Sequence, residues 1–143
     1  MPRLALWNLL IGFIGVFLGA CMGPFIADDM AQAILRDPEL LDSWGNKLLM
    51  ASHGHLSLFG MLQVCLGLTM PYCSRITDRI RFFQTWGISA GLVAMGPLLY
   101  AKSLSVPEPD SFLFIDVVIG FCLSLAMLAI LIQIYGLAHK LKR

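Results

Sequence analysis

Residues 4–26 read LALWNLLIGFIGVFLGACMGPFI, and Asn8 is the one strongly polar side chain among them. A helix needs about 20 mostly apolar residues to cross the hydrocarbon core of a bilayer. This stretch is long enough, and three others match it. They are residues 48–70, which carry His53, His55, Ser57 and Gln63, then residues 82–100 and residues 112–137. No stretch shows sustained strand alternation, which excludes a membrane β-barrel. Composition agrees with the spans. The chain has 143 residues, of which 58% are hydrophobic and only 13% charged, with a mean hydropathy of +0.79. A soluble domain of this size is nearer half apolar and a quarter charged, and so small a core cannot hide the excess. A net charge of +1 leaves no basic footprint for nucleic acid. The sequence therefore predicts an all-α integral membrane four-helix bundle, a single domain over residues 1–143 whose first partner is the lipid bilayer.

Charge gives the orientation. Arg3, Arg75, Arg79, Arg81, Lys140, Lys142 and Arg143 fall on one side of the four spans, seven of the ten basic residues. The positive-inside rule makes that side cytoplasmic and puts both termini there. The other side holds Arg36, Lys47 and Lys102 beside most of the acids, with its longest loop expected from Ala27 to Lys47. Prolines punctuate the pattern. Pro24 is expected near the end of the first span, Pro38 in the loop after it, and Pro71 at the close of the second. Pro107 and Pro109 precede the fourth, where Asp110 or Ser111 can cap the first turn. Pro97 lies inside the third helix and should kink it, freeing a carbonyl. Leu18-Gly19-Ala20-Cys21 has the form of a lipoprotein cleavage box. The apolar run continues past it to Ile26, so the segment reads as the first membrane helix.

Small residues mark the packing faces. Gly15, Gly19 and Gly23 sit four apart on the first helix, with Gly12 nearby, and Gly87 and Gly91 repeat the device on the third. Such stripes let helices approach closely in lipid. A flat ligand against them is the secondary reading. Cys21, Cys65, Cys73 and Cys122 form no C-x-x-C pair, so neither zinc nor a disulfide framework is indicated.

The chemistry points to Ser52-His53-Gly54-His55-Leu56-Ser57-Leu58-Phe59-Gly60. Ionisable side chains within a span are costly and mark function by default. Successive helical residues turn about 100°, so His53 and His55 point roughly 200° apart and cannot grip one ion together. Ser57 and Gly60 follow His53 on one face and are small enough to leave room for a macrocycle. Phe59 and Gln63 follow His55 on a bulkier face. His53 is thus expected to be the better axial ligand of a metal macrocycle, with His55 as the ligand of a second macrocycle or as a support for the site. Hydrogen-bonded interfacial histidines are the plainer alternative.

This segment resembles the H-x-H helix of the nitric oxide reductase and haem-copper oxidase catalytic subunit. In that family the first histidine binds the active-site haem and the second the low-spin haem. Ala51 to Gly136 also resembles styrene oxide isomerase, a family that holds haem b between the protomers of a trimer and rearranges epoxides to aldehydes. His53 falls on that family's haem ligand, Gly60-Met61 match, Asp78-Arg79 resembles its short charged loop, and Asp116 begins a similar final helix. Phe59 stands where that family has an asparagine, and its catalytic tyrosine would fall near Leu98 or Leu99, with Tyr100 the nearest tyrosine. The resemblance implies a haem b iron site in a bacterial cytoplasmic membrane, a homo-oligomer, and a small hydrophobic substrate or diatomic gas as ligand. If the chain is an enzyme, it implies an epoxide-to-carbonyl isomerase. A haem-free accessory subunit of a respiratory complex is the remaining alternative.

Other outer-half residues could serve such a site. Tyr100 could donate a hydrogen bond to a ligand, or simply anchor at the interface. Asp116 could orient a histidine, or act as a first-turn acid. Arg36 and Lys47 could pair with haem propionates, or be solvated loop charges. Trp44 and Trp86 read as interfacial anchors and His139 as part of a basic tail.

Overall fold

The structure, a computed structural model, describes residues 1–36, 43–73, 76–105 and 114–141. Helix α1 covers Arg3–Arg36 and α2 covers Trp44–Thr69, closed by a 3-10 turn at Met70–Tyr72 that contains Pro71. Helix α3 (Asp78–Val93) passes through one π-helical turn at Ala94–Leu98 into α4 (Leu99–Ser105), and α5 covers Phe114–Leu141. Four helical stretches are long and apolar enough to cross a membrane: Arg3–Gln32, Trp44–Tyr72, Asp78–Ser105 and Phe114–Lys140.

Packing follows chain order, with α1 against α2, α2 against the third span, and the third span against α5. Both described chain ends lie at one end of the bundle. There the Ala5 carbonyl meets Gly67, and the Lys140 ammonium sits 4.9 Å over the Tyr72 ring. A small apolar core joins Leu56, Phe59, Leu66 and Met70 of α2 to Ile88 and Leu92 of α3, Ala5 of α1 and Ala126 of α5. Large apolar side chains such as Phe13, Phe17, Phe121, Leu131 and Tyr135 are exposed on the outer surface.

The glycine stripes are packing faces. A Cβ on Gly60 would lie 2.7 Å from the Val16 nitrogen, and one on Gly12 would lie 2.7 Å from the Gly60 oxygen. The two backbones therefore touch where α1 crosses α2. Gly87 and Gly91 likewise admit Leu125, Ala129 and Ala126 of α5.

Two expectations about boundaries need correction. Helix α1 does not end near Pro24; it runs on to Arg36, so residues 27–36 are helix and not loop. Asp28 and Asp29 end the apolar stretch without ending the helix. The segment after them is rich in helix formers, and Gln32 donates to Asp28 one turn back at 3.1 Å. One proline removes a single backbone bond, which a long helix survives. The third span also outlasts Tyr100 and reaches Ser105, so Lys102 is a helical residue and not a loop charge. Pro97 does disturb its helix, and the disturbance takes the form of the π turn, in which the Leu99 N–H reaches back to the Ala94 carbonyl. The caps expected at Asp110 and Ser111, with Pro38, Pro107 and Pro109 and the basic residues Arg75, Lys142 and Arg143, lie outside the described residues.

Candidate functional site

The two histidines occupy different settings. His53 faces α1, with its ring against Gly23; a Cβ there would lie 3.2 Å from His53 Cε1. Its Nδ1 is buried and has no hydrogen-bond partner among the described residues. His55 lies on the other flank of α2, partly exposed, with Nδ1 2.7 Å from the Ala51 carbonyl oxygen. A carbonyl only accepts, so His55 Nδ1 carries the proton and donates. Nε2 of His55 then keeps its lone pair. Metal-binding histidines are held in this way, one nitrogen donating to a carbonyl while the other coordinates. His55 is thus held by one ring nitrogen with the other free, whereas His53, expected to be the better ligand, has no such bond among the described residues.

The small residues after His53 do not leave the expected room. Ser57 Oγ packs directly against Gly19, and Gly60 is pressed against Gly12, Gly15 and Val16. The α1 stripe occupies the space that a macrocycle would need beside His53 within one chain. Phe59 and Gln63 do not share the His55 flank either. Each four-residue step drifts about 40° around a helix, so by residue 63 the side chain has turned into the core. Gln63 is fully buried there and donates to Asn8 Oδ1 at 3.1 Å and Ser89 Oγ at 2.7 Å.

Asp116 is not brought to a histidine. It pairs with Lys102, which is nearly buried, and among the described residues no hydrogen bond joins it to His53 or His55. Arg36 stands at the end of α1, thirteen positions beyond Gly23. That is about 20 Å along the axis from the level of His53 within one chain. Lys47 lies in the first turn of α2.

Tyr100 lines a cleft of about 470 Å³ between α1, α2 and the π turn. Its walls include Leu18, Met22 and Phe25 of α1, Leu49 and Leu56 of α2, and Pro97. Neither histidine lines it. Among the described residues no group of three or more His, Cys, Asp or Glu side chains converges as a metal site.

Sequence reasoning missed two features. One is Lys102 as the partner of Asp116; the signal was a lysine only two residues past Tyr100, before any turn residue. The other is the pair of buried amide networks at the end holding the termini. Asn8 donates to Thr85 Oγ1 at 2.9 Å and accepts from Gln63, which ties α1, α2 and α3 together. Gln84 donates to Gln133 Oε1 at 3.0 Å, and Gln133 donates to Thr69 Oγ1 at 2.8 Å, which ties α3, α5 and α2.

No family model, curated protein or solved structure matches this chain. The likeness of the Ser52–Met61 segment to haem-binding helices thus stands on the residues quoted above.

Proposed function

We propose that this chain is a multi-pass protein of a bacterial cytoplasmic membrane, with both termini inside, that holds haem b through Nε2 of His55. The observation that carries the reading is the hydrogen bond from His55 Nδ1 to the Ala51 carbonyl, which leaves the opposite nitrogen free to coordinate. The α1–α2 contact has no space for a macrocycle, whereas His55, half-buried like His53, lies on the flank away from that contact. The haem would lie on that flank and be covered by a second copy of the chain, so the reading includes a homo-oligomer. Haem held by His55 would supply Lewis-acid chemistry or a binding site for a small ligand. His53 and Ser57 serve the α1–α2 contact in this reading. Arg3, Arg79, Arg81 and Lys140 gather at the end holding the termini, which supports the orientation.

The test is an ultraviolet–visible spectrum of the detergent-purified protein, made with ample haem, in oxidised, reduced and carbon monoxide-treated forms. The expected result is a Soret band that shifts with carbon monoxide. It should be lost in His55→Ala and kept in His53→Ala. No Soret band in the parent protein overturns the haem reading and leaves the accessory-subunit alternative. Loss in His53→Ala with retention in His55→Ala overturns the ligand assignment.

A further inference from the structure

The cleft beneath Tyr100 is independent of both histidines, and its chemistry is specific. Helix α1 runs unbroken through Pro24, so one stripe of its side chains forms a wall from Leu18 through Met22 and Ile26 to Asp29. Eleven residues separate the ends of that stripe, about 16 Å along the axis. The opposite wall is the π turn. Gly96 gives no side chain to it, and Pro97 and Tyr100 line the cleft on the same side. Leu49 and Leu56 form the floor. The volume of about 470 Å³ falls in the range of sites for small organic ligands.

The walls are apolar, and among the described residues the only charged one lining the cleft is Asp29, which stands exposed at the mouth. Two aromatic rings, Phe25 and Tyr100, also line the cleft. An apolar trough with aromatic rings and one carboxylate at its rim selects an apolar body carrying one positive charge. The body gains by leaving water, while the charge is attracted by the carboxylate and by the ring faces. An anion of the same shape meets the carboxylate with the wrong sign. We propose that this cleft binds small lipophilic organic cations.

The test uses tetraphenylphosphonium and tetraphenylborate, which share a shape and differ in charge. Their binding to the full chain in neutral detergent is measured by equilibrium dialysis against empty micelles. Tetraphenylphosphonium should bind saturably, and about five- to tenfold more tightly than tetraphenylborate, the scale of one exposed ion pair with a cation–π contribution. Asp29→Asn, a surface change that spares the fold, should weaken the cation about two- to fivefold and leave the anion no weaker. Met22→Trp, which fills the trough, should abolish both. His55→Ala should leave cation binding unchanged, so this site and the haem site stand or fall separately. The proposal is overturned by no saturable binding above empty micelles, by equal affinity for the two ions, or by indifference to Asp29→Asn.

Discussion

Replacing Gln63 by leucine tests what holds the bundle together. Gln63 Nε2 makes two well-formed interhelical bonds, to Asn8 Oδ1 at 3.1 Å and Ser89 Oγ at 2.7 Å. Such bonds contribute about 0.6 kcal/mol each inside a membrane. Their loss also strands the Asn8 acceptor, fully buried, which costs about 1 kcal/mol more. The change also removes Gln63 Oε1, which is buried without a partner among the described residues and so offsets about 1 kcal/mol. Gln63→Leu should therefore destabilise the protein by about 1 kcal/mol, since leucine nearly conserves the volume. Asn8→Leu removes the bonds to Gln63 and to Thr85 Oγ1 and should cost a similar amount. The double variant leaves fewer stranded groups, so its cost should fall short of the sum by about 1 kcal/mol. Reversible unfolding in mixed micelles, followed by circular dichroism, measures all four corners of the cycle. Strict additivity, or stabilisation by either single change, would refute the claim that this network clamps three helices.

The other changes probe separate contacts. Gly60→Ala drives a methyl group into the α1 backbone and should cost about 3 kcal/mol, whereas Gly54→Ala, which meets nothing within 4 Å, should be neutral or better; thermal melts in detergent compare the two. Asp116→Asn leaves the Lys102 ammonium without its paired charge and should cost about 3 kcal/mol in a chemical unfolding titration, while the combined Lys102→Met and Asp116→Leu change should restore most of it. The Cys73 thiol lies just beyond the second span, where burial pushes its pKa up against the opposing pull of Arg81 and Lys140. Its proton is held more tightly in the folded than in the unfolded chain. The stability it contributes is thus complete below the ordinary thiol pKa and lost as pH rises through the raised value. Iodoacetamide should alkylate Cys73 more slowly in the folded than in the unfolded protein at mildly alkaline pH, and equal rates would contradict the burial.

The spans were legible because each is a long apolar run, and lipid leaves the backbone few other options. The α1–α2 contact was legible in the spacing of Gly15, Gly19 and Gly23. The far end of α1 was not, because a sequence marks where apolarity stops more clearly than where a helix stops. Asp28 and Asp29 carry that ambiguity. At the site, the sequence separated the two histidines by angle and expected room for a macrocycle beside His53. Which flank of α2 the glycine stripe of α1 covers is a tertiary fact, and it covers the His53 flank. Asp116 was legible as a costly acid but not as the partner of Lys102, since the pairing joins two spans.

The placement of polar groups divides the bundle into two halves with different tasks. In lipid the hydrophobic effect does not hold helices together, so packing and buried hydrogen bonds must. At the end holding the termini both are present. The Asn8, Gln63, Thr85 and Ser89 network and the Gln84, Gln133 and Thr69 network together join all four spans. Toward the other end the third span gives up regular α-helix at Ala94–Leu98, and the α1 wall stands off far enough to leave a cleft. His55 and Tyr100 both lie in that less tightly joined half, as does the Lys102–Asp116 pair. A site that admits a ligand needs empty volume and some freedom to adjust, and both reduce stability. The clamps at one end supply the stability that lets the other end keep its space, so weakening the Gln63 network should loosen the whole bundle, the cleft included.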